Sequence, residues 1–165
     1  MSIEDGDTIE VVINGSPCKV SLYGIDAPEK TQLYGPEAAR AAARFIGRKN
    51  IQLQLYDKIY EGNGTSRCLA VVLVNGRNVN GLLVKGGYAW VNKEHCYESF
   101  CSSWEADQRT AQAKKKGLWT DTAPVPPWKW KNMTLEERGK QRHYSPVANG
   151  MRSRYGRLTT ILGGE

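Results

Sequence analysis

The sequence predicts an α+β protein that is mainly β, with about three helices. Short segments rich in β-branched and apolar residues recur through the first half of the chain, and each is bounded by turn residues. One helix-forming segment is inserted among these strands and others follow them, unlike the regular alternation of a doubly wound sheet. This order of elements fits a five-stranded Greek-key barrel of the OB-fold type.

The first predicted elements form a β-hairpin. Residues 8–13 are short and β-branched, the Asn-Gly pair at 14–15 is typical of a tight hairpin turn, and residues 18–25 are again extended. Asp7 and Asp26 would then lie at neighbouring strand ends.

The first predicted helix spans residues 37–48. Pro36 occupies its first turn, where a missing N–H is tolerated, and the residues that follow are rich in alanine. Two further strands are predicted at 51–56 and 68–74, separated by the Gly-rich residues 61–64. The sequence leaves open whether they are the third and fourth strands, or the fourth and fifth after a strand shortened at the N-terminus.

Two more helices are predicted at residues 79–85 and 104–116, each followed by glycine. Prolines within residues 124–127 then break regular structure, so the domain is predicted to span residues 1–130. Residues 131–165 form a basic extension with 7 Lys+Arg against 3 Asp+Glu. Such a segment is predicted to be solvated and flexible, with nucleic-acid contact as the alternative.

Composition sets wide bounds on the class of protein. With 165 residues, 40% of them hydrophobic, the chain can bury one packed core, and its longest apolar run has the length of a strand rather than of a membrane span. No signal-peptide pattern precedes the first motif. A secreted or periplasmic location is favoured if such a peptide has been removed, and a cytoplasmic location otherwise.

The four cysteines are too few for a disulfide-dense scaffold. Cys96 and Cys101 lie close together in a polar segment before a helix, and either a short-loop disulfide or two thiols fits this pattern. Cys18 and Cys68 lie in strand-like segments, where we interpret them as small buried apolar residues.

A group of carboxylates near the N-terminus is the strongest chemical signal in a chain of net charge +6. Asp7 and Asp26 supply the oxygen ligands that hard divalent cations prefer, and Pro28 fixes the backbone so that Glu29 projects from the same loop. A carboxylate beside a metal-activated water is a suitable general base. The alternative is that Asp5 and Asp7 cap one turn and Asp26 the next.

Several motifs in this order make the chain similar to the staphylococcal-nuclease-like (thermonuclease) family over about residues 3–130. The matching segments are Asp5-Gly6-Asp7-Thr8-Ile9, Leu22-Tyr23-Gly24-Ile25-Asp26-Ala27-Pro28-Glu29, Tyr34-Gly35-Pro36-Glu37-Ala38, Arg67 with Leu69-Ala70-Val71, Gly87-Tyr88-Ala89-Trp90-Val91, Gly117-Leu118-Trp119 and Pro127-Trp128-Lys129-Trp130.

The resemblance implies a calcium-dependent phosphodiesterase that cleaves DNA and RNA with little sequence preference. It implies that Asp7 and Asp26 bind Ca²⁺ together with the backbone carbonyl of Ala27. Glu29 would orient or deprotonate the attacking water, and Arg67 would neutralise the phosphate. The expected substrate is single-stranded or flexible DNA or RNA, and the expected state is a monomer without membrane contact.

One residue of the family's catalytic pattern is absent. A second arginine is expected five residues before Asp26, where this chain has Ser21. Lys19 is a candidate replacement because residues two apart on a strand face the same way, although a solvated lysine is the alternative. Tyr88 is a candidate for substrate binding by base stacking, with packing as the alternative.

The absence of the second arginine is compatible with two functions. A metal-activated water could still attack a bound phosphodiester, which predicts a weakened nuclease. The other reading is a non-catalytic module that binds nucleic acid or protein on the same fold.

Overall fold

The computed structural model describes residues 1–61 and 65–143. The predicted Gly-rich turn, apart from Glu61, and the predicted extension from residue 144 onward lie outside these ranges. The elements in chain order are strands β1 (Ser2–Ile3), β2 (Thr8–Ile13), β3 (Ser16–Leu22) and β4 (Ile25–Asp26), helix α1 (Gly35–Ile46), strands β5 (Gln52–Glu61), β6 (Thr65–Val74) and β7 (Arg77–Asn78), helix α2 (Val79–Gly86), strand β8 (Trp90–Val91), helix α3 (Cys101–Ala113), a 3₁₀ turn (Gly117–Thr120) and helices α4 (Pro127–Lys131) and α5 (Leu135–His143).

The main sheet has the order β1-β2-β3-β6-β5, with β7 paired to β6, and a separate ladder joins β4 to β8. β3 and β6 run parallel, whereas the other neighbours run antiparallel. The five-strand path is that of a partly open Greek-key barrel, so the predicted mainly β, α+β class is confirmed.

The predicted hairpin is present as β2 and β3. Asn14 and Gly15 both have positive φ, 52° and 80°, as a two-residue hairpin turn of this kind requires. The amide of Leu22 donates a hydrogen bond of 2.8 Å to the carbonyl of Asp7. The open end of the hairpin therefore carries Asp7 beside the chain that leads to Asp26.

The three predicted helices are present as α1, α2 and α3, but α4 and α5 were not predicted. The expectation that the prolines only end regular structure is wrong, because Pro127 stands in the first turn of α4. There its fixed φ suits a helix and its missing N–H costs no intrahelical hydrogen bond.

Cys18 and Cys68 form a disulfide between β3 and β6, and Cys96 and Cys101 form another at the start of α3. The interpretation of Cys18 and Cys68 as unbonded apolar residues is therefore wrong. The parallel register sets Val20 opposite Cys68 and Cys18 opposite Ser66, which brings the two sulfurs within bonding reach. All four cysteines of the sequence are disulfide-bonded.

The described chain divides into a compact unit, Met1–Asn132, and a second unit that begins at Met133 and contains α5. None of the helices in residues 1–61 and 65–143 has the length and apolar content of a membrane span.

Asn80 is a buried polar residue that joins α2 to the loop before β4. Its side chain donates hydrogen bonds to the carbonyls of Tyr23 (2.9 Å) and Ala70 (3.2 Å) and accepts one from the amide of Val72 (3.0 Å). It is fully buried, so water cannot replace these bonds in the folded protein.

Replacement of Asn80 by alanine is expected to lower the free energy of unfolding by about 3 kcal/mol, because buried backbone groups lose their partners. Urea denaturation followed by circular dichroism would measure this loss. Gln112→Ala, at an exposed position on α3, is the control and should change stability by less than about 0.5 kcal/mol. Equal stability of the two variants would contradict the proposed role of Asn80.

Candidate functional site

A surface cavity of about 520 Å³ opens beside the end of the β2–β3 hairpin. It is lined by acidic and basic side chains from segments that are distant in sequence. The acidic residues are Glu4, Asp5, Asp7, Asp26 and Glu29, and the basic residues are Lys19, Arg67 and Lys131. Ser21, Thr8, Asn92 and His95 are also in the wall.

Asp7 is held in place from several sides. Its amide donates to Oδ1 of Asp5 (3.0 Å), while its own Oδ2 accepts from the amide of Ala27 and its Oδ1 from the hydroxyl of Thr8 (3.1 Å). Asp5 therefore does cap the turn, as the alternative interpretation expected. Asp7 is bonded directly to the loop that follows Asp26.

Gly6 allows this close approach. A Cβ atom at Gly6 would lie 2.6 Å from Cβ of Ala38 on α1 and 2.7 Å from Cβ of Ala27. Such distances are far inside van der Waals contact, so the Asp5–Asp7 turn can lie against α1 and the Ala27 loop only because residue 6 has no side chain.

The carboxylates of the cavity disfavour one another's charge. Burial raises the pKa of Asp7 well above its usual value, and the charges of Asp5 and Asp26 raise it further, although the hydrogen bond from Ala27 opposes this. Burial likewise raises the pKa of Asp26, while Lys131 lowers it and Glu29 raises it. A bound cation would relieve this repulsion.

Glu29 is positioned by Gln32, a side chain only 4% exposed. The amide of Glu29 donates to Oε1 of Gln32 (3.1 Å). A Cβ atom at Gly35 would lie 2.0 Å from the carbonyl oxygen of Glu29, so the first turn of α1 packs directly on this loop. The side chain of Glu29 is one third exposed, and the residue lines the cavity.

The predicted basic residues meet on neighbouring strands. Lys19 on β3 is opposite Arg67 on β6 in the parallel register, and both line the cavity. Nζ of Lys19 lies 2.5 Å from Oε2 of Glu4. Ser21 is two residues farther along β3 and is also in the wall, so the position of the missing arginine is beside Arg67.

Tyr88 is not brought to this cavity. Its hydroxyl accepts a hydrogen bond of 3.1 Å from the guanidinium of Arg44, which lies 5.8 Å from the ring centroid. Tyr88 therefore contacts α1, and its substrate-binding role stays a prediction that this geometry does not support.

Lys131 was missed by the sequence analysis. Its Nζ lies 3.0 Å from Oε1 of Glu29 and 3.6 Å from Oδ1 of Asp26. Burial opposes its charge, but the hydrogen bond with Glu29 and the charge of Asp26 outweigh that effect and raise the pKa of Lys131. The predicted domain boundary near residue 130 leaves this lysine in the extension, although the aromatic Trp128-Lys129-Trp130 pattern before it indicates packing against the domain.

The donor set fits a hard divalent cation. In the described parts of the chain, no group of three or more His, Cys, Asp or Glu side chains forms a ready-made metal site. The carboxylates of Asp7 and Asp26, placed together with the Ala27 segment, instead form a partial set of oxygen donors. Ca²⁺ binds six to eight oxygens, and water and substrate phosphate can supply the rest.

The chain is similar to known proteins over most of its length. The model of the family described as staphylococcal nuclease homologue matches residues 19–121. The chain is 35% identical over 145 residues to Protein ParB of Escherichia coli, an alignment that covers 82% of this chain and 79% of ParB. It is 35% identical over 132 residues to an uncharacterized endonuclease of Haemophilus influenzae, covering 79% and 70% of the two chains. It is 30% identical over 134 residues to micrococcal nuclease of Shigella flexneri, covering 78% and 76%. The chain therefore belongs to the family of staphylococcal nuclease homologues, and its α+β fold is the OB fold of that family.

Proposed function

We propose that this protein is a calcium-dependent nuclease that hydrolyses phosphodiester bonds of DNA or RNA with little sequence preference. The observation that carries the proposal is the convergence of Asp7, Asp26, Glu29 and Arg67 on one cavity. Membership of a nuclease family supports hydrolysis of nucleic acid, and the relatives include proteins named endonuclease and micrococcal nuclease.

Asp7 and Asp26, with the backbone carbonyl of Ala27, would hold the cation. Bound there, calcium would supply positive charge that polarises the phosphate and lowers the pKa of a water molecule. The hydrogen bond from the Ala27 amide holds Asp7 in place, so little rearrangement of the carboxylate is required on binding.

Glu29 is the general base of the proposed reaction. Its carboxylate accepts a proton from the attacking water as the water oxygen bonds to phosphorus and the bond from phosphorus to the leaving oxygen breaks. Gln32 orients the loop that carries Glu29, through the hydrogen bond to its amide.

Arg67 stabilises the charge that builds on the phosphate oxygens. A guanidinium can donate two parallel hydrogen bonds to a phosphate, and β6 places this side chain on the cavity wall beside Lys19. Lys19 adds positive charge on the same face of the sheet.

Ser21 favours a second candidate function. A serine in the cavity wall, where the family pattern has an arginine, is compatible with a module that binds nucleic acid without cleaving it. Such a module would show salt-dependent binding of oligonucleotides and no calcium-dependent turnover.

Cleavage of a fluorescently labelled single-stranded DNA tests the proposal. We expect cleavage with CaCl₂ and none with EDTA, and we expect Glu29→Gln to lower kcat by roughly 10²- to 10⁴-fold, the usual contribution of a general base. Glu37→Gln, on α1 and paired with Arg40, is the matched control and should retain wild-type kcat. Activity that persists in EDTA, or that survives Glu29→Gln, would exclude this mechanism. Binding without cleavage would support the second function.

A further inference from the structure

We propose that Lys131 supplies a second positive charge that binds the substrate phosphate together with Arg67, a pair that we term the phosphate clamp. Lys131 would so take over the role of the arginine that is absent at Ser21. The inference rests on the proposed nuclease function and adds to it a residue that touches the substrate phosphate. It is carried by the position of Lys131 against two of the carboxylates in the cavity.

The clamp is incomplete on the β3 side. Ser21 is paired in register with Thr8 on one side and Leu69 on the other, so its short neutral side chain stands in the wall beside Arg67. A gap of about 110 Å³ borders Ser21, Asp57 and Arg67, where a longer side chain would fit. Because phosphoryl transfer depends mostly on positioned positive charge, a site with only one arginine lacks a large part of its stabilisation.

Lys131 brings positive charge to the reacting groups from α4, an element outside the sheet that carries Ser21 and Arg67. Its Nζ lies 3.0 Å from Oε1 of Glu29 and 3.6 Å from Oδ1 of Asp26. The water that Glu29 activates must lie within hydrogen-bond reach of that carboxylate, and the phosphorus it attacks lies about 3–3.5 Å beyond. A flexible ammonium group in contact with Glu29 is therefore within reach of the phosphate oxygens.

The backbone of Lys131 is held by buried neighbours. In α4, Pro127 is buried and Trp130 is only 3% exposed, which anchors the helix on the domain. In the segment before α4, the carbonyl of Val125 accepts a hydrogen bond of 2.6 Å from Nε2 of Gln32. Since Oε1 of the same glutamine accepts from the amide of Glu29, one buried side chain joins the base to the segment that carries Lys131.

Lys129 provides a matched control on the same helix. It is exposed and is not among the residues that line the cavity, whereas Lys131 is. Removal of either lysine changes the net charge equally, so any difference between the two variants reports the position of the charge.

The experiment compares Lys131→Ala, Lys131→Arg, Lys129→Ala, Ser21→Arg and the double variant Ser21→Arg/Lys131→Ala in cleavage of single-stranded DNA at saturating calcium. We expect Lys131→Ala to lower kcat by roughly 10²- to 10³-fold, the effect of losing one group that stabilises transition-state charge. Lys131→Arg and Lys129→Ala should stay within about tenfold of wild type. Ser21→Arg should restore most of the activity of the Lys131→Ala variant, because it returns a cation to the clamp from β3.

A binding measurement in EDTA provides a readout that is independent of turnover. Fluorescence anisotropy with a labelled oligonucleotide gives the slope of log K against log salt, which changes by about 0.7 for each phosphate contact with a single strand. We expect Lys131→Ala to reduce the magnitude of this slope by about 0.7, which corresponds to one phosphate contact. Lys129→Ala should leave the slope unchanged.

Two results would overturn the inference. One is an unchanged kcat in Lys131→Ala; if calcium also bound more tightly, Lys131 would be a competitor of the metal for the carboxylates. The other is a double variant as inactive as Lys131→Ala although Ser21→Arg alone raises activity. If the wild-type protein cleaves nothing with calcium, the proposed function fails instead, and the salt slope still shows whether Lys131 contacts phosphate.

Discussion

Replacing Asp7 with asparagine is expected to abolish calcium-dependent cleavage and, at the same time, to stabilise the metal-free protein at neutral pH. The two effects have one cause. Asp7 is placed beside Asp5 and Asp26 and is partly shielded from water, which suits a cation ligand but disfavours its own charge when no cation is bound. Asparagine keeps an oxygen that can accept from the amide of Ala27 and removes the charge.

The pH dependence of stability should show the same carboxylates. Because the pKa of Asp7 is raised in the folded state, the folded protein binds protons more tightly than the unfolded chain does. Stability of the metal-free protein therefore falls as the pH rises from the ordinary aspartate value through the raised one, and Asp26 acts in the same direction. Asp7→Asn removes one of the two carboxylates that cause this loss of stability at higher pH.

Thermal denaturation in EDTA and in calcium measures both effects. Without metal at pH 8, Asp7→Asn should melt about 2–4 °C above the wild type, which corresponds to about 1 kcal/mol for a protein of this size. With calcium at one hundred times its Kd, the wild type should gain about 2.7 kcal/mol and the variant nothing.

The control for this comparison is Asp107→Asn, whose carboxylate lies on α3, 3.7 Å from Nζ of Lys85 and outside the cavity. It should keep both the calcium-dependent gain and the cleavage. A calcium-dependent rise in Tm that survives in Asp7→Asn would show that the cation binds elsewhere.

Local sequence patterns were sufficient to predict that the carboxylates of Asp7, Asp26 and Glu29 lie together, as they do in the wall of one cavity. The Asn-Gly turn fixes the β2–β3 hairpin, and that hairpin alone places Asp7 beside the chain that leads to Asp26. Pro28 and Glu29 follow within the same loop. The distances involved are short along the chain, so strand periodicity and turn chemistry determine them.

The rest of the site depends on packing between distant segments, which leaves little local signal. Lys131 reaches Glu29 because Trp130 and Pro127 are buried and because Gln32 bonds to the carbonyl of Val125. Arg67 lies beside Lys19 through a parallel pairing of β3 and β6. Neither the side-chain packing nor the register of strands so far apart can be derived from the periodicity of either segment.

Removal of the disulfide between Cys18 and Cys68 is expected to have the largest effect on stability. The bond links residues 50 apart in sequence, and restricting a loop of that length in the unfolded chain stabilises the folded state by about 4 kcal/mol. That is a large part of the roughly 5–15 kcal/mol that separates a folded domain from its unfolded chain.

The double variant Cys18→Ala/Cys68→Ala should therefore unfold at a much lower urea concentration than the wild type. Cys96→Ala/Cys101→Ala is the matched control, since it also removes two sulfurs from buried positions but opens a loop of only 5 residues. The same chain-entropy relation gives about 2 kcal/mol for that loop. Both proteins should be compared with the wild type in dithiothreitol, where reduction should reproduce the combined losses.

Loss of the Cys18–Cys68 bond should also affect the cavity, because each of these cysteines is adjacent in sequence to a basic residue of the cavity wall. Cys18 precedes Lys19 on β3 and Cys68 follows Arg67 on β6, so the bond ties together the strands that carry both side chains to the cavity. Loss of the bond should make cleavage fall at a lower temperature than in the Cys96→Ala/Cys101→Ala variant. Equal unfolding midpoints for the two variants would show that the link between β3 and β6 adds nothing beyond the short loop. Disulfide bonds persist in oxidising compartments and are rare in a reducing cytoplasm. Protein produced under reducing conditions should therefore lack both bonds and show the combined losses of stability of the two double variants.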